Sequence, residues 1–487
     1  MPEAPDQSSA AVFDRMRRGI LDGSLRPGAR LPPSRRLAVE LGLARQTVVA
    51  AYERLAAEGY VRARVGCGTF VATDLPDEAP PPARPPAGKT AVLSRRGAAL
   101  AALPATAVPR LEAAPAGLLA PGVPAPELFP AVAWARTTAR VLRRLAPESR
   151  GYPSAAGWPD LREAIAGHLA AARGLIVEPD RIVVTAGTQQ ALRLAAELLL
   201  DPGDAAWVEE PGYIAGRGAL RAAGARLVAV PSDAEGIDVA AGLARAPAAR
   251  LALVAPSHAT PLGGALPVGR RLALLDWATR AGAWVIEDDA DSEFRWQGRP
   301  LPPLATLDSS GRVLYCGTFS KALAPALRLG FVVLPAPLVR PFLAARLLAD
   351  RGIATLPQAV LAAFLASGQF AAHVRRMRTE YAARRAALLA ALARYCPAVT
   401  PLVAPGGLHL VLRLPEGAEE GQVRARALGL GLSLSPLAAY YQETPAFPGL
   451  VCGFAATPAA LAAEAARRLA WAVIPAAQRA DRYRAQG

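Results

Sequence analysis

A stretch rich in proline and alanine divides this chain of 487 residues into a short and a long part. Residues 74–90 read DLPDEAPPPARPPAGKT and show no apolar periodicity, and proline recurs as far as residue 126. A segment of this composition stays extended and does not pack into a core. The chain is also too long for one ordinary domain. We therefore predict an N-terminal unit over 1–73, a linker over 74–126 and a large C-terminal unit over 127–487.

The composition indicates a globular protein from a reducing compartment. Hydrophobic residues make up 52% of the chain, enough for a large core. The four cysteines, Cys67, Cys316, Cys396 and Cys452, are far apart and match no metal spacing, so we expect a cytoplasmic protein without a metal. The N-terminus lacks the regions of a signal peptide, and no apolar run predicts a membrane span. The net charge of +15 is spread over both parts of the chain and does not locate a nucleic-acid site.

The N-terminal unit has the pattern of three helices followed by a hairpin. Residues 9–22 predict an amphipathic helix, Ser34 is placed to cap a second helix that ends at Gly42, and residues 44–58 predict a third. GYVRARVGCGTFVA then predicts two strands joined by a Gly-Cys-Gly turn. The residues expected to face inward are Val12, Met16, Ile20, Leu21, Val48, Tyr52 and Leu55. This order of elements is the plan of the winged helix-turn-helix.

In that plan the third helix enters the major groove of DNA, and its first residues face the base edges. An Arg pairs well with guanine, a Gln with adenine, and a Thr with a base or a phosphate. The candidate DNA-contacting residues are Arg45, Gln46 and Thr47 on this helix, Arg35 on the second helix for a phosphate, and Gly66 and Gly68 in the wing. The alternative is a small helical module with solvated arginines.

The segment LPPSRRLAVELGLARQTVVAAYERLAAEGYVRARVGCGTFV favours the first interpretation. With the residues just before it, the segment resembles the DNA-binding domain of the GntR family of transcriptional regulators. The resemblance implies binding to operator repeats in double-stranded DNA.

In the C-terminal unit, short apolar runs alternate with helical stretches, which is typical of an α/β fold with a largely parallel sheet. The predicted strands are 181–186, 205–210, 226–230, 251–255, 283–288, 312–316 and 330–334. Ligands of such sheets bind beyond the carboxyl ends of the strands. Several polar residues of this chain fall at those ends.

The most telling of these residues is a lysine. Of the 55 Lys and Arg residues only Lys89 and Lys321 are lysines, and Lys321 follows a predicted strand. A desolvated lysine can lose its proton and form a Schiff base, which arginine cannot do; a lysine that merely escaped a codon bias is the alternative. Nearby, Gly187 and Thr188 open a helix whose N-terminus suits a phosphate, and Asp288 closes a strand.

An amine, a phosphate cradle and an acid are the three groups that pyridoxal phosphate (PLP) needs. The motifs GYPSAAGWPDLREAIAGHL, VTAGTQQAL, EEPGY, PSH, VIEDDADSEF, GTFSKALAPALRLG and GGLHL stand in one order along the chain. In this order they resemble the class I aminotransferases, which have the fold of the type I PLP-dependent transferases. Together with the N-terminal unit they resemble the MocR subfamily of GntR regulators.

The resemblance implies PLP as cofactor and a homodimer. It implies that Lys321 forms the Schiff base and that Asp288 binds the pyridine nitrogen. It also implies phosphate contacts from Gly187, Thr188, Thr318, Ser320 and Arg328, stacking of Tyr213 on the ring, and a phosphate contact from Tyr152 across the dimer interface.

Three positions depart from the aminotransferase pattern. Ala290 stands where a tyrosine is expected to bond the phenolic oxygen of the cofactor. Leu262 replaces a small polar residue in the turn after PSH, and Val451 stands where an arginine is expected to bind the substrate carboxylate. Ala290 and Val451 argue against fast transamination and are compatible with PLP binding.

Three functions follow from these features. The first is a regulator whose aminotransferase-like domain senses PLP or an amino compound that reacts with it. The second is an active aminotransferase with an accessory DNA-binding head. The third is a DNA-binding protein whose large domain serves only to dimerise. We favour the first.

Overall fold

The computed structural model describes residues 8–64, 66–75, 92–101, 117–146, 151–298 and 301–474. Its internal contacts divide the chain into two units, Met1–Leu93 and Ser94–Gly487. Most of the predicted linker, residues 76–91 and 102–116, lies outside the described residues, so the domain boundaries at 73 and 126 stay predictions. Among the helices that are described, none combines the length and the apolar character needed to cross a membrane.

The N-terminal unit contains the three helices and the hairpin that the sequence predicts. The helices are α1 (Ser9–Leu21), α2 (Ser34–Leu41) and α3 (Arg45–Ala57), and the antiparallel strands are β1 (Val61–Arg64) and β2 (Gly68–Val71). α1 and α2 pack on α3 around a core that includes Val12, Met16, Ile20, Val48, Tyr52 and Leu55. Gly42 ends α2 in the left-handed conformation, with φ of 66°, as predicted.

Two details of this unit differ from the prediction. Leu21, the last residue of α1, is 42% exposed, whereas Phe13, which the prediction left out, is 2% exposed. Ser34 is the first residue of α2 and not its cap; Pro33 holds the cap position, and no side chain there accepts a backbone hydrogen bond. A proline with fixed φ can start the helix without that bond, so the local propensity of Ser for the cap position is not used.

The C-terminal unit is built on a sheet of eight strands. In chain order these are β3 (Ile182–Thr185), β4 (Ala205–Glu210), β5 (Arg226–Asp233), β6 (Gly236–Ile237), β7 (Leu251–Val254), β8 (Trp284–Asp289), β9 (Val313–Thr318) and β10 (Gly330–Val333). They lie in the order β3-β10-β9-β8-β7-β4-β5-β6. The run from β9 to β5 is parallel, whereas β10 is antiparallel to both of its neighbours. All seven predicted strands are present.

Helices cover both faces of this sheet, as its continuous apolar strands require. They are α5 (Ala131–Arg144), α6 (Pro159–Arg173), α7 (Thr188–Leu199), α8 (Ile214–Ala222), α9 (Val239–Arg245), α10 (Val268–Ala281), α11 (Ala336–Ala349) and α12 (Thr355–Ala366). The short helix α4 (Arg95–Ala101) precedes them, and its Arg96 donates a hydrogen bond to the carbonyl of Ala222. α7, α8 and α11 contribute to one core against the sheet, and α9 and α10 to another, in which Trp207 stacks on Trp277.

The chain then forms a smaller layer with a second sheet. The long helix α13 (Gln369–Tyr395) leads into β11 (Thr400–Leu402) and β12 (His409–Arg413), followed by α14 (Glu420–Gly429), β13 (Ser435–Pro436), β14 (Gly449–Gly453) and α15 (Ala462–Val473). The strand order is β11-β12-β14-β13, all antiparallel. The sequence does not predict these strands, which are two to five residues long.

The core of the N-terminal unit allows a matched test of its packing. Val48→Ala removes two methyl groups from a fully buried position and should lower the free energy of unfolding of this unit by about 2 kcal/mol. Val39→Ala is the control, because Val39 is 83% exposed on the neighbouring helix.

Two optical signals separate the units in this test. All seven Trp residues lie at or beyond position 134, so Trp fluorescence reports on the C-terminal unit alone, whereas circular dichroism reports on both. Val48→Ala should lower the urea midpoint of a circular-dichroism transition and leave the midpoint of the fluorescence transition unchanged. Equal effects of the two substitutions would show that Val48 is not a core residue.

Candidate functional site

The candidate cofactor residues converge because of the strand order. β3, β10 and β9 are neighbours, and Gly330 at the start of β10 pairs with Thr185 on one side and Thr318 on the other. β8 lies next to β9, where Asp288 is opposite Cys316. The loops that follow β3, β8 and β9 therefore leave the same edge of the sheet, with the entry to β10 between them.

The phosphate cradle is formed where β3 meets α7. Gly187 precedes the first helical residue, Thr188, and has φ of 94°, which only glycine adopts without strain. A Cβ at Gly187 would lie 3.1 Å from Nη2 of Arg328, and the same nitrogen donates to the carbonyl of Ala186 at 2.6 Å. Backbone amides at a helix N-terminus, with a guanidinium beside them, suit an anion.

Hydroxyl groups complete the cradle. Oγ1 of Thr318 and Oγ of Ser320 are 3.0 Å apart, and the backbone amide of Ser320 donates to the same Oγ1. Oγ1 of Thr188 is buried and has no hydrogen-bond partner in the described part of the chain. A buried hydroxyl without a partner is uncommon in a protein interior, and a phosphate oxygen would satisfy it. The residues present therefore fit the phosphate of PLP.

Lys321 lies three residues after β9 and is half-buried. Its Nζ donates a hydrogen bond of 2.6 Å to the carbonyl of Gly122. Gly122 belongs to the segment 74–126 that the sequence predicts as a linker. Burial lowers the pKa of Lys321, and the charges of Asp291 and Asp288 oppose that effect. The amine is thus held in place and is easier to deprotonate than a solvated lysine, as Schiff-base chemistry requires.

Asp288 fits the expected partner of a pyridine nitrogen. Its Oδ1 is buried and has no hydrogen-bond partner among the described residues. Burial, together with the charges of Asp289 and Asp291, raises the pKa of Asp288 to about 7, although Lys321 opposes the shift. A cationic ring nitrogen would satisfy this oxygen and favour the ionised carboxylate.

The two tyrosines are placed differently. Tyr213 caps α8 and lines one pocket with Asp288, Glu209 and Arg217, where an aromatic ring can cover a ligand. Tyr152 is 87% exposed, and its described contact is with the guanidinium of Arg351, 5.7 Å from the ring centre. Within one chain the structure thus brings together the other predicted cofactor residues but leaves Tyr152 on the surface.

Two of the three departures from the aminotransferase pattern meet in one apolar cluster. Val451 is 1% exposed in β14, opposite Val411 and next to Leu437 and Tyr440. Leu262 packs against the same cluster from the loop after β7. Where a guanidinium was expected, this chain therefore has a buried aliphatic side chain in an apolar cluster. Ala290 directly follows β8 and is partly exposed.

Several buried groups of this region received no role in the sequence analysis. Arg173 donates to Asp289 at 2.6 Å, and Asp289 also accepts from Oη of Tyr315 at 2.6 Å. His258 and His409 stack edge to face with ring centres 5.3 Å apart. The motifs PSH and GGLHL contain these histidines, but no spacing in the sequence indicates that they touch.

The candidate DNA-contacting residues lie on the surface of the N-terminal unit. Arg45 and Gln46 at the start of α3 are exposed, as is Arg35 on α2, and Thr47 is half-buried. No acidic partner of Arg35 or Arg45 is found in the described residues, so both guanidinium groups are available to phosphates or bases. Gly66 and Gly68 have φ of 74° and 112°, and a Cβ at Gly68 would meet the guanidinium of Arg30 at 2.8 Å.

Comparison with known proteins matches two parts of the chain to two families. Residues 8–71 match the family of bacterial regulatory proteins of the gntR type, and residues 122–425 match aminotransferase class I and II. Two regulators match almost throughout: the probable rhizopine catabolism regulatory protein MocR of Rhizobium meliloti is 39% identical over 91% of this chain and 89% of its own. The pyridoxine biosynthesis regulator PdxR of Corynebacterium glutamicum is 33% identical over 93% of both chains.

A solved enzyme matches only the larger part. The multiple substrate aminotransferase of Thermococcus profundus is 30% identical, with a TM-score of 0.69, over 74% of this chain and 92% of its own.

The assignment of the lysine can be tested with the two lysines of the chain. With PLP added, the wild-type protein should show a visible absorption band, and borohydride should bleach the band and attach the cofactor to one peptide. Lys321→Ala should lose both signals, because Lys321 is the only lysine among the residues that the structure describes, whereas Lys89→Ala should keep them. Mass spectrometry identifies the modified peptide. A borohydride-reducible band in Lys321→Ala would show that another residue carries the cofactor.

Proposed function

Because this chain belongs to the MocR subfamily of GntR regulators, in which a winged helix-turn-helix precedes an aminotransferase-like PLP domain, we propose that occupancy of the Lys321 site controls its binding to DNA. The chain is a DNA-binding transcriptional regulator with PLP as its cofactor. The effector in this proposal is PLP itself or an amino compound that reacts with it, and the site of action is cytoplasmic.

The DNA-binding step rests on the exposed start of α3. Arg45, Gln46 and Thr47 occupy the first turn of this helix, which in the winged helix-turn-helix plan faces the bases. Arg35 and the wing glycines Gly66 and Gly68 are assigned to the phosphate backbone. Contacts to phosphates set the position of the protein, and contacts to base edges set its sequence preference.

Binding of the cofactor rests on residues placed for its phosphate, its ring and its aldehyde. Gly187, Thr188, Thr318, Ser320 and Arg328 would hold the phosphate of PLP, and Tyr213 would cover its ring. When bound, PLP supplies an aldehyde carbon that a primary amine can attack. Lys321 provides such an amine, since burial lowers its pKa and the carbonyl of Gly122 fixes its position. Asp288 would hold the ring nitrogen in its protonated state.

The apolar cluster around Val451 is the observation that favours a sensor over an enzyme. An amino-acid substrate carries a carboxylate, and burying that charge without a partner is costly. Val451 packs among aliphatic and aromatic side chains and pairs with Ser435 in the neighbouring strand, and Leu262 joins this cluster from the sheet layer. The site can therefore bind PLP or a simple amine, but it offers an amino-acid carboxylate no guanidinium at this position. An active aminotransferase with a DNA-binding head is the second candidate, supported by the matching fold of the Thermococcus enzyme.

We also infer a homodimer. Tyr152 is 87% exposed, while the resemblance assigns it a phosphate contact. A second copy of the chain can bring this tyrosine to the cradle of its partner. A symmetric dimer also carries two DNA-binding heads, which suits a pair of operator repeats.

The DNA-binding assignment predicts a directional effect of Arg45. Arg45→Ala should weaken binding to the promoter region of the protein's own gene and reduce the preference for one base at one position of the site. If Arg45 binds a guanine, the loss of binding free energy should be about 1–3 kcal/mol. Arg54→Ala is the matched control, since Arg54 lies about 13 Å further along the same helix and is paired with Glu58 at 2.8 Å.

Fluorescence anisotropy with promoter and random DNA over a range of salt measures both effects, because phosphate contacts make the affinity fall with salt. Equal affinity of the wild-type protein for promoter and random DNA would contradict sequence-specific regulation of this promoter.

The sensor proposal predicts slow turnover and a response of DNA binding to PLP. Steady-state transamination over a panel of amino donors should stay well below the range of ordinary enzymes, which is about 1–10³ per second. Adding PLP should change the affinity or the geometry of the promoter complex in the wild-type protein but not in Lys321→Ala. A turnover number within the enzyme range, together with DNA binding that ignores PLP, would make the protein an aminotransferase with an accessory head.

A further inference from the structure

We propose that His258 is a positioning residue of the Lys321 site: its imidazole holds the Asp291 carboxylate within Coulombic reach of the lysine, and the small C-terminal sheet holds the imidazole. This inference rests on the proposed role of Lys321 and adds His258, which acts on the lysine through Asp291. It links the loop after β7, the loop after β8 and the loop before β12.

The first observation is steric. His258 is 6% exposed and lies against three glycines. A Cβ at Gly407 would come within 2.1 Å of Cε1 of the ring, one at Gly263 within 3.2 Å of Nε2, and one at Gly406 within 3.5 Å of Cδ2. Gly406 and Gly407 belong to the loop that leads into β12, so the backbone of the small sheet closes around this one side chain.

The second observation is the partner of the ring. Nδ1 of His258 lies 3.4 Å from Oδ1 of Asp291, and within the described residues neither ring nitrogen has a hydrogen bond of ordinary geometry. A buried imidazole without a hydrogen bond is stable in its protonated form only beside an opposite charge, which here is the carboxylate of Asp291. The ring of His409 packs edge to face on His258, and Nε2 of His409 lies 2.8 Å from the carbonyl of Pro261. The two histidines therefore join the two layers at this point.

The charges around His258 agree with that geometry. Burial lowers the pKa of His258, but Asp291 and the backbone of Gly406 together outweigh burial and raise the pKa overall, with Arg295 opposing. For Asp291, burial favours the neutral acid, yet His258, His409 and Lys321 lower its pKa to about 2. Burial and the charge of His258 lower the pKa of His409 to about 4, so His409 is neutral at neutral pH.

The same carboxylate then acts on the lysine. Burial lowers the pKa of Lys321, and among the groups that oppose it Asp291 contributes more than Asp288. His258 does not act on the lysine directly in this scheme. It keeps Asp291 ionised and in place, and Asp291 stabilises the ammonium form of Lys321. Loss of either residue should make the amine neutral at lower pH.

The test uses the cofactor-free full chain and its two lysines. An amine-reactive acylating reagent is applied over a range of pH, and mass spectrometry gives the extent of labelling of Lys321 with Lys89 as internal reference. Asp291→Asn should lower the pH midpoint of Lys321 labelling by about one unit or more, since a buried charge partner is lost. His258→Gln should lower it in the same direction. Glu293→Gln, which removes another carboxyl group from the same loop, should leave it unchanged.

A double substitution decides whether His258 acts through Asp291. In the Asp291→Asn background, His258→Gln should add no further shift, because the group that it positions is already neutral. His258→Asn serves in its place if the Gln variant does not fold. The proposal is overturned if the His258 variants leave the midpoint unchanged or raise it, if their shift persists in the Asp291→Asn background, or if Glu293→Gln produces the same shift.

Borohydride trapping with PLP separates this inference from the proposed function. If Lys321 labelling shifts as expected in protein that never traps PLP, the Lys321–Asp291–His258 arrangement stands and the cofactor assignment fails. If PLP is trapped on Lys321 but its labelling is unaffected by Asp291→Asn, the cofactor assignment stands and this inference fails.

Discussion

The structure depends on keeping one lysine amine among carboxylates at the edge of a buried sheet. Desolvation favours the neutral amine, while Asp288 and Asp291 favour the ammonium form, and the two effects oppose each other at Lys321. The surrounding fold serves this balance. Parallel pairing of β8 with β9 brings the acids and the amine to one edge, and the carbonyl of Gly122 holds the amine from another part of the chain.

The small sheet contributes to this edge in two ways. Through Val451 and its apolar neighbours it closes the region where an amino-acid carboxylate would need a cation. Through Gly406 and Gly407 it closes around His258. Both contacts join the small layer to the loop after β7, which carries Leu262 and His258. The Lys321 site therefore lies beside a junction between two layers. A change in the charge of Lys321, or the binding of a ligand to it, can alter the contacts at that junction.

Some features of this fold are determined by adjacent residues and others by partners far along the chain. Six of the seven predicted strands of the large sheet are largely buried, and β5 is partly exposed, so most of them are short apolar runs that adjacent residues reveal. The strands of the small sheet are shorter, and one of them is Ser435–Pro436, whose pairing depends entirely on its neighbour β14. Ser34 shows the opposite error: a good capping residue is present, but it is the first helical residue, and Pro33 holds the cap position.

The sequence by itself determined the order of the elements and the chemical groups of the site, including a lone lysine after a strand, an acid at a strand end and a glycine before a helix. These follow from local patterns, because strand ends, helix starts and the chemistry of a side chain are readable from a few adjacent residues. Only the tertiary structure decided which groups meet: Val451 with Leu262, Lys321 with Gly122, and His258 with Asp291 and the glycines before β12. Most of these partners are far apart in the chain, and their contact results from packing two layers together, which no local pattern encodes.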